Sequence, residues 1–361
     1  MQKHFSGKNA ENLMRFKNKI AVFVLFIYSC FSAQRAEAQQ NVANIPMGEG
    51  ITAVRFFAST VDDDNNVWFL TESGIVSFNG TKWTLHNRNR KVSSSGLKGV
   101  VYDFSSYGPE LWLATGKGAT VVSLPVDARS GATTYYPDNS NLLSENVLAV
   151  AVGRKELRWF GTDKGIAAFK GRKWLTNSYA RKYPDGTFED FPITSLATSP
   201  DGDSLYIGTI GGGVLRVYRN EVDAVSGASE YAEWGPILMP SDNVYSIHIT
   251  ADGTQWFGTD KGIARHKGYN TLEGWSVFTT KEGLADNFVQ AINSDSKGNV
   301  YFGTRNGLSV FDGNRWVTYK TEDGLASNNV LTIAIDKKDR IWLGTDNGVT
   351  SIADGKFLIY R

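Results

Sequence analysis

A nine-residue phrase recurs seven times along this 361-residue chain. It reads WFLTESGIV from Trp68, WLATGKGAT from Trp112, WFGTDKGIA from Trp159 and YIGTIGGGV from Tyr206. It then reads WFGTDKGIA from Trp256, YFGTRNGLS from Tyr301 and WLGTDNGVT from Trp342. Successive aromatics lie 44, 47, 47, 50, 45 and 41 residues apart. A period of roughly 40–50 residues belongs to solenoids, propellers and arrays.

The unit inside one period decides between them. From Asn328 to Asp336 apolar and polar residues alternate, as in a half-buried strand. A short turn leads to a second strand, Arg340–Thr345, and Asp346–Gly348 turns the chain again. There the Asn-Gly pair is expected to supply the positive φ angles of a two-residue hairpin. Val349–Ala353 reads as strand three, Asp354–Gly355 as a hairpin turn and Lys356–Tyr360 as strand four. Three successive hairpins make a four-stranded antiparallel meander. One such sheet cannot bury both faces, but seven stacked radially can. The expected fold is therefore all-β: a seven-bladed β-propeller of four-stranded antiparallel blades.

On strand two the aromatics Trp68, Trp112, Trp159, Tyr206, Trp256, Tyr301 and Trp342 sit among apolar residues and are expected to pack between blades. Gly161, Gly208, Gly258, Gly303 and Gly344 follow within two residues, where a missing side chain lets sheets approach.

Residues 1–38 read differently. Lys17 and Lys19 precede an apolar run, Ile20–Ala33, and Ala36–Ala38 forms a small-x-small cleavage site before Gln39. This is the pattern of a secretory signal peptide, with Met14 as an alternative start. Residues 39–49 are expected to be a linker or edge strand, and 50–361 the propeller. Export is expected to the periplasm, the outer membrane surface or the medium. Membrane attachment would require lipidation at Cys30, the only cysteine. Cleavage after Ala38 leaves a mature chain without cysteine, which excludes thiolate chemistry. Lys plus Arg number 38 and Asp plus Glu 37, so no field favours nucleic acid.

Catalytic motifs are sparse. His86, His248 and His266 fall in different blades, and no metal-binding His cluster is visible. Gly208–Gly213 lacks the Lys-Ser/Thr of a phosphate loop. Asp62–Asn66 resembles a calcium loop but occupies a strand one–two turn and lacks the glycine and distal glutamate. No catalytic residue, metal or cofactor is assigned, and the chain is read as a binding protein rather than an enzyme.

The phrases from Gly283 to Trp316 and from Gly324 to Ile352 resemble the two-component regulator propeller repeat: Gly-Leu, an Asn before the inner strand, then an aromatic, Gly-Thr, two residues, Gly and an aliphatic. The resemblance extends over 50–361 and implies an extracytoplasmic sensing propeller, often fused to a membrane segment and histidine kinase in Bacteroidetes-like bacteria. This sequence ends at blade seven without such segments, so signalling within one chain is not expected. A hydrolase or lyase in the propeller channel, resembling the streptogramin-cleaving family, is one competing class. A structural or assembly protein of the envelope is the other.

In an up-and-down meander the strand two–three turns and the inter-blade connections share one end. That end collects Asn146, Asn243, Asn287 and Asn329, each ahead of an inner strand, and the turn residues Asp163, Asp260, Arg305 and Asp346. The long connection Leu175–Pro192 adds Tyr179, Tyr183 and Phe188. These are the candidate ligand-binding residues. The expected partner is a glycan, peptide or envelope protein, bound by a monomer. The near-duplicate segments Val126–Ala132 and Val222–Ala228 read as long strand three–four hairpins at the other end.

Overall fold

The computed structural model describes residues 43–48, 51–52, 55–86, 97–105, 108–126, 131–175, 181–182, 188–189, 191–218, 239–267 and 274–361. The signal-peptide segment, Tyr179, Tyr183, residues 127–130 and residues 222–228 lie outside them. The chain forms a seven-bladed β-propeller. Its inner strands are Phe56–Val61, Leu97–Ser105, Val147–Val152, Ile193–Thr198, Val244–Ile249, Val289–Ser294 and Val330–Ile335. Each inner strand neighbours the next around the ring, and the last neighbours the first. Six blades show four antiparallel strands; blade four shows three among the described residues.

Every blade boundary carries one apolar cluster, so the core is divided into seven inter-blade layers. The seven strand-two aromatics are all buried in these layers. The glycines beside them explain the close approach. A methyl group on Gly344 would stand 2.6 Å from the Phe56 carbonyl oxygen of the next blade, and one on Gly303 would stand 2.9 Å from Val330 Cγ1.

The threonine of the repeated phrase has its own cause. Thr71, Thr115, Thr162, Thr209, Thr259, Thr304 and Thr345 are buried at the end of strand two. Each hydroxyl donates to the carbonyl of the glycine that closes the turn, at 2.7–3.0 Å. The turn geometry differs from the sequence expectation. In blade seven Thr345 pairs with Gly348, so the loop residues are Asp346 and Asn347, and only Gly348 has positive φ, at 107°. The threonine hydroxyl also accepts the Asn347 N–H, which holds a right-handed turn and displaces the left-handed residue to the glycine. At Asp354–Gly355 both residues do have positive φ, 50° and 71°.

A fifth strand closes the ring. Ala43–Ile45 pairs in parallel with the outer strand Lys356–Tyr360. Met47 N–H then donates to the Arg361 carbonyl at 3.0 Å, and its side chain is buried between blades seven and one. Blades one and seven each have four strands in sequence order, so this strand adds to the closure without being swapped into either.

Candidate functional site

Each inner strand begins with a β-bulge, at the same place in all seven blades. The extra residue is Phe57, Lys98, Leu148, Thr194, Tyr245, Gln290 or Leu331. A bulge leaves its residue outside the ladder and re-aims its side chain. Four of these side chains are seen to reach the following blade. Lys98 Nζ donates to Asn146 Oδ1 at 2.9 Å, and Gln290 Nε2 donates to Asn329 Oδ1 at 2.9 Å. Thr194 donates to the Val244 carbonyl, and the Tyr245 ring lies 4.5 Å from that of Phe288.

The asparagine ahead of the inner strand then continues to the turn of its own blade in three blades, two of them those in which a bulge residue reaches it. Asn146 Nδ2 donates to Asp163 Oδ2 at 3.1 Å, Asn243 to Asp260 at 3.0 Å and Asn329 to Asp346 at 2.9 Å. In all three cases the partners are seventeen residues apart and half-buried. In two places, Lys98–Asn146–Asp163 and Gln290–Asn329–Asp346, the axial end thus carries a relay from bulge residue to asparagine to aspartate, whose first step crosses a blade boundary. Partial desolvation pushes Asp163, Asp260 and Asp346 upward. The polar groups of the neighbouring Ser and Asn and the turn backbone outweigh it, leaving each carboxyl below the usual carboxylate range.

Blade six departs from this arrangement, and Asn287 departs with it. Asn287 aligns with Asn328, one position earlier than expected; both accept a backbone N–H seven residues upstream, from Thr280 at 2.9 Å and Thr321 at 2.8 Å. The residue aligned with Asn329 is Phe288, and the residue aligned with Asp346 is Arg305. Arg305 Cζ lies 3.5 Å from the centroid of the Phe288 ring. A cation–aromatic pair therefore occupies the two positions that hold Asn and Asp in blades three, five and seven. Tyr245 completes the patch: burial raises its hydroxyl pKa, Asp260 adds to the rise and Arg305 opposes it.

The long connection after blade three forms a small ladder, Arg181–Lys182 against Phe188–Glu189. Phe191 then packs against Gly212, where a methyl group would meet its ring at 2.7 Å. Gly211 and Gly213 N–H groups donate to the Asp242 carbonyl at 3.1 and 3.0 Å. The glycine run thus seats an aromatic ring and ties blade four to blade five.

The opposite end is occupied differently. Asp62 accepts from Asn66 N and Nδ2 and from Trp68 Nε1, each at 2.8 Å. Asp336 accepts from Trp342 Nε1 at 3.1 Å, and Asp295 from the Tyr301 hydroxyl at 2.9 Å. The Asp62 turn is thus closed by its own hydrogen bonds. Among the described residues no three His, Cys, Asp or Glu side chains converge as a metal site. His248 Nε2 and Ser294 Oγ hydrogen-bond across blades five and six at 2.7 Å, and His266 Nδ1 meets Gln255 Oε1 at 2.7 Å. Between blades two and three the buried Arg158 pairs with Asp103 and lies 3.8 Å from Glu110.

The two component regulator propeller family matches residues 283–306 and 324–347, the strand one–two segments of blades six and seven. No curated protein matches the chain. Among solved structures, the extracellular domain of a protein described as the hybrid two component system BT3049 from B. thetaiotaomicron is 19% identical, with a TM-score of 0.64. The match covers 84% of this chain and 40% of that one, so the chain spans less than half of that relative's length. A streptogramin B lyase structure is 16% identical, with a TM-score of 0.60, covering 85% of this chain and 96% of that chain. The WD40 β-propeller domain of Doa1 is 13% identical, with a TM-score of 0.59, covering 86% and 95%. At these identities the likeness is one of fold. The chain is a seven-bladed propeller that carries two component regulator propeller repeats.

Proposed function

We propose that this protein is an exported binding propeller that receives a carbohydrate, peptide or protein surface on its axial, connection-bearing end. The relay of Lys98, Asn146 and Asp163, repeated from Gln290 to Asn329 and Asp346, carries this reading. These side chains are half-buried or exposed, project from bulges, strand starts and turns, and are absent from the inter-blade apolar layers. Polar groups held in place without being buried are what a recognition surface requires. The signal-like sequence at residues 1–38 and the extracellular propeller of the B. thetaiotaomicron protein support export. Against a lyase stands the commitment of the axial acids to Asn partners and of His248 to Ser294, on separate blades.

A glycan and peptide screen with thermal shift as readout tests this. A ligand at 100-fold its Kd raises stability by about 2.7 kcal/mol. Lys98→Ala and Asn146→Ala are expected to weaken that binding with little change in Tm, as are Tyr183→Ala and Phe188→Ala in the long connection after blade three. Deleting Arg129–Gly131, between strands three and four of blade two, is expected to leave it intact. Binding that survives the axial and connection variants and disappears with the deletion overturns the reading. Exported material is expected to begin near Gln39; cytoplasmic protein with an intact Met1 or Met14 contradicts export.

A further inference from the structure

We infer that blade six holds a subsite for a singly charged carboxylate, gripped by Arg305 and flanked by the rings of Phe288 and Tyr245. The inference rests on the axial-end reading and names the chemistry of its ligand.

Seven residues follow the strand-two threonine: Glu72, Gly116, Asp163, Ile210, Asp260, Arg305 and Asp346. Arg305 alone is a cation. Its usual counterpart is an aspartate bound by an asparagine, and here both members are exchanged, Asn for Phe288 and Asp for Arg305. The guanidinium lies against the Phe288 ring at 3.5 Å, and Tyr245 supports that ring from blade five at 4.5 Å. Stacking fixes the guanidinium and leaves its N–H edges free, because the aromatic face uses the cation's plane and not its donors. Arg305 is exposed, and among the described residues no carboxylate stands within ion-pair distance of it. A planar fork of unused donors beside two aromatic rings fits a carboxylate approaching edge-on, with the adjoining apolar part of the ligand over Tyr245.

The flanking turns set the charge of that ligand. Blades five and seven carry Asp260 and Asp346, both held below the usual carboxylate range. A dianionic phosphate group would meet one cation between two acids. A monoanionic carboxylate matches Arg305 with less repulsion.

Isothermal titration on the full chain tests this with two pairs of probes. The methyl glycoside of galacturonate and its methyl ester form the sugar arm. N-acetyl-Phe-Phe and its C-terminal amide form the peptide arm. In one arm the free acid is expected to bind roughly 10- to 100-fold tighter than its neutral partner, the range for hydrogen bonds to a charged group. Which arm shows it identifies the source of the carboxylate. Arg305→Gln is expected to erase the acid preference without lowering Tm, and Arg305→Lys to keep only part of it. No acid preference in either arm, or a preference that survives Arg305→Gln, overturns the inference. If a neutral ligand from the wider screen still depends on Lys98 and Asn146, the axial reading stands without this subsite. If the axial variants bind every ligand as the unmodified chain does, both fall.

Discussion

At one end of the propeller Asp62 and Asp336 are buried, their carboxylates closing a turn and receiving an indole N–H. At the other end Asp163, Asp260 and Asp346 are half-exposed, each taking an amide N–H from an asparagine. The same residue type stands at one equivalent position in three of the seven blades in both places. At the first end the aspartate lies six residues before the strand-two aromatic and is fastened to the blade core. At the second it lies four residues after, in the strand two–three turn, bonded to the asparagine ahead of the inner strand. The first set is therefore tied to buried core side chains and the second to half-exposed polar ones, which predicts a larger stability cost at the first end. Blade six illustrates this: it keeps the Asp295–Tyr301 pair and exchanges the axial pair for Phe288 and Arg305.

Four measurements break or sharpen this contrast. The largest effect is expected from Trp342→Ala, which opens a cavity between blades seven and one and strips Asp336 of its indole partner. The loss is about 3–5 kcal/mol in denaturant unfolding, with any loss of binding tracking unfolding. A variant that melts normally would refute the packing role.

His248 gives the second. Desolvation lowers its pKa to about 4, against an ordinary value of 6.5. A depressed folded pKa contributes stability that is present above pH 6.5 and is lost as pH falls toward 4. The difference amounts to no more than about 3 kcal/mol, trimmed by the ring's partial exposure. His248→Gln is expected to flatten the unfolding free energy across that window; an unchanged slope would show that another group is responsible.

The third asks whether the indole partner can be transplanted. In blade five Thr250 stands six residues before Trp256, where blades one and seven have aspartate, and Trp256 Nε1 is buried without a partner among the described residues. Thr250→Asp is expected to add about 1 kcal/mol, the net value of one hydrogen bond. A melting temperature at or below that of the parent would show that the local Thr250 hydroxyl bonds outweigh the gain.

The smallest stability change is expected at the axial end. Asn329→Ala removes two half-buried amide hydrogen bonds, one to Asp346 and one from Gln290, whose partners water can reach, and should shift stability by less than about 1 kcal/mol. A loss of several kcal/mol there would make the axial relay structural and remove the contrast between the ends.

Much of the architecture is legible in the residues. The phrase around Trp342 specifies strand, turn and strand, and its period counts the blades. The glycine after the aromatic announces close sheet approach, which Gly344 against Phe56 displays. The candidate site is legible only in part. Alternation within a meander sorts Asn146 and Asp163 to one end, but their pairing depends on a turn geometry that no local pattern encodes. Asn287 shows the limit. Sequence resemblance groups it with Asn329, whereas strand register aligns it with Asn328. The bulge residues were missed as well. Lys98, Tyr245 and Gln290 share no residue type, and only the repeated register shift marks them as equivalent.

By itself the sequence determined the elements: seven repeats, their strands, the places of the turns and the aromatics that must be buried. These follow from alternation and turn chemistry, which act within a few residues. Tertiary structure decided what lies between repeats. Lys98 meets Asn146, Tyr245 meets Phe288, and Ala43–Ile45 joins a strand more than 300 residues away only because the ring closes. Closure places the start of each inner strand beside the next blade's turn, a distance relation that a one-dimensional period does not contain.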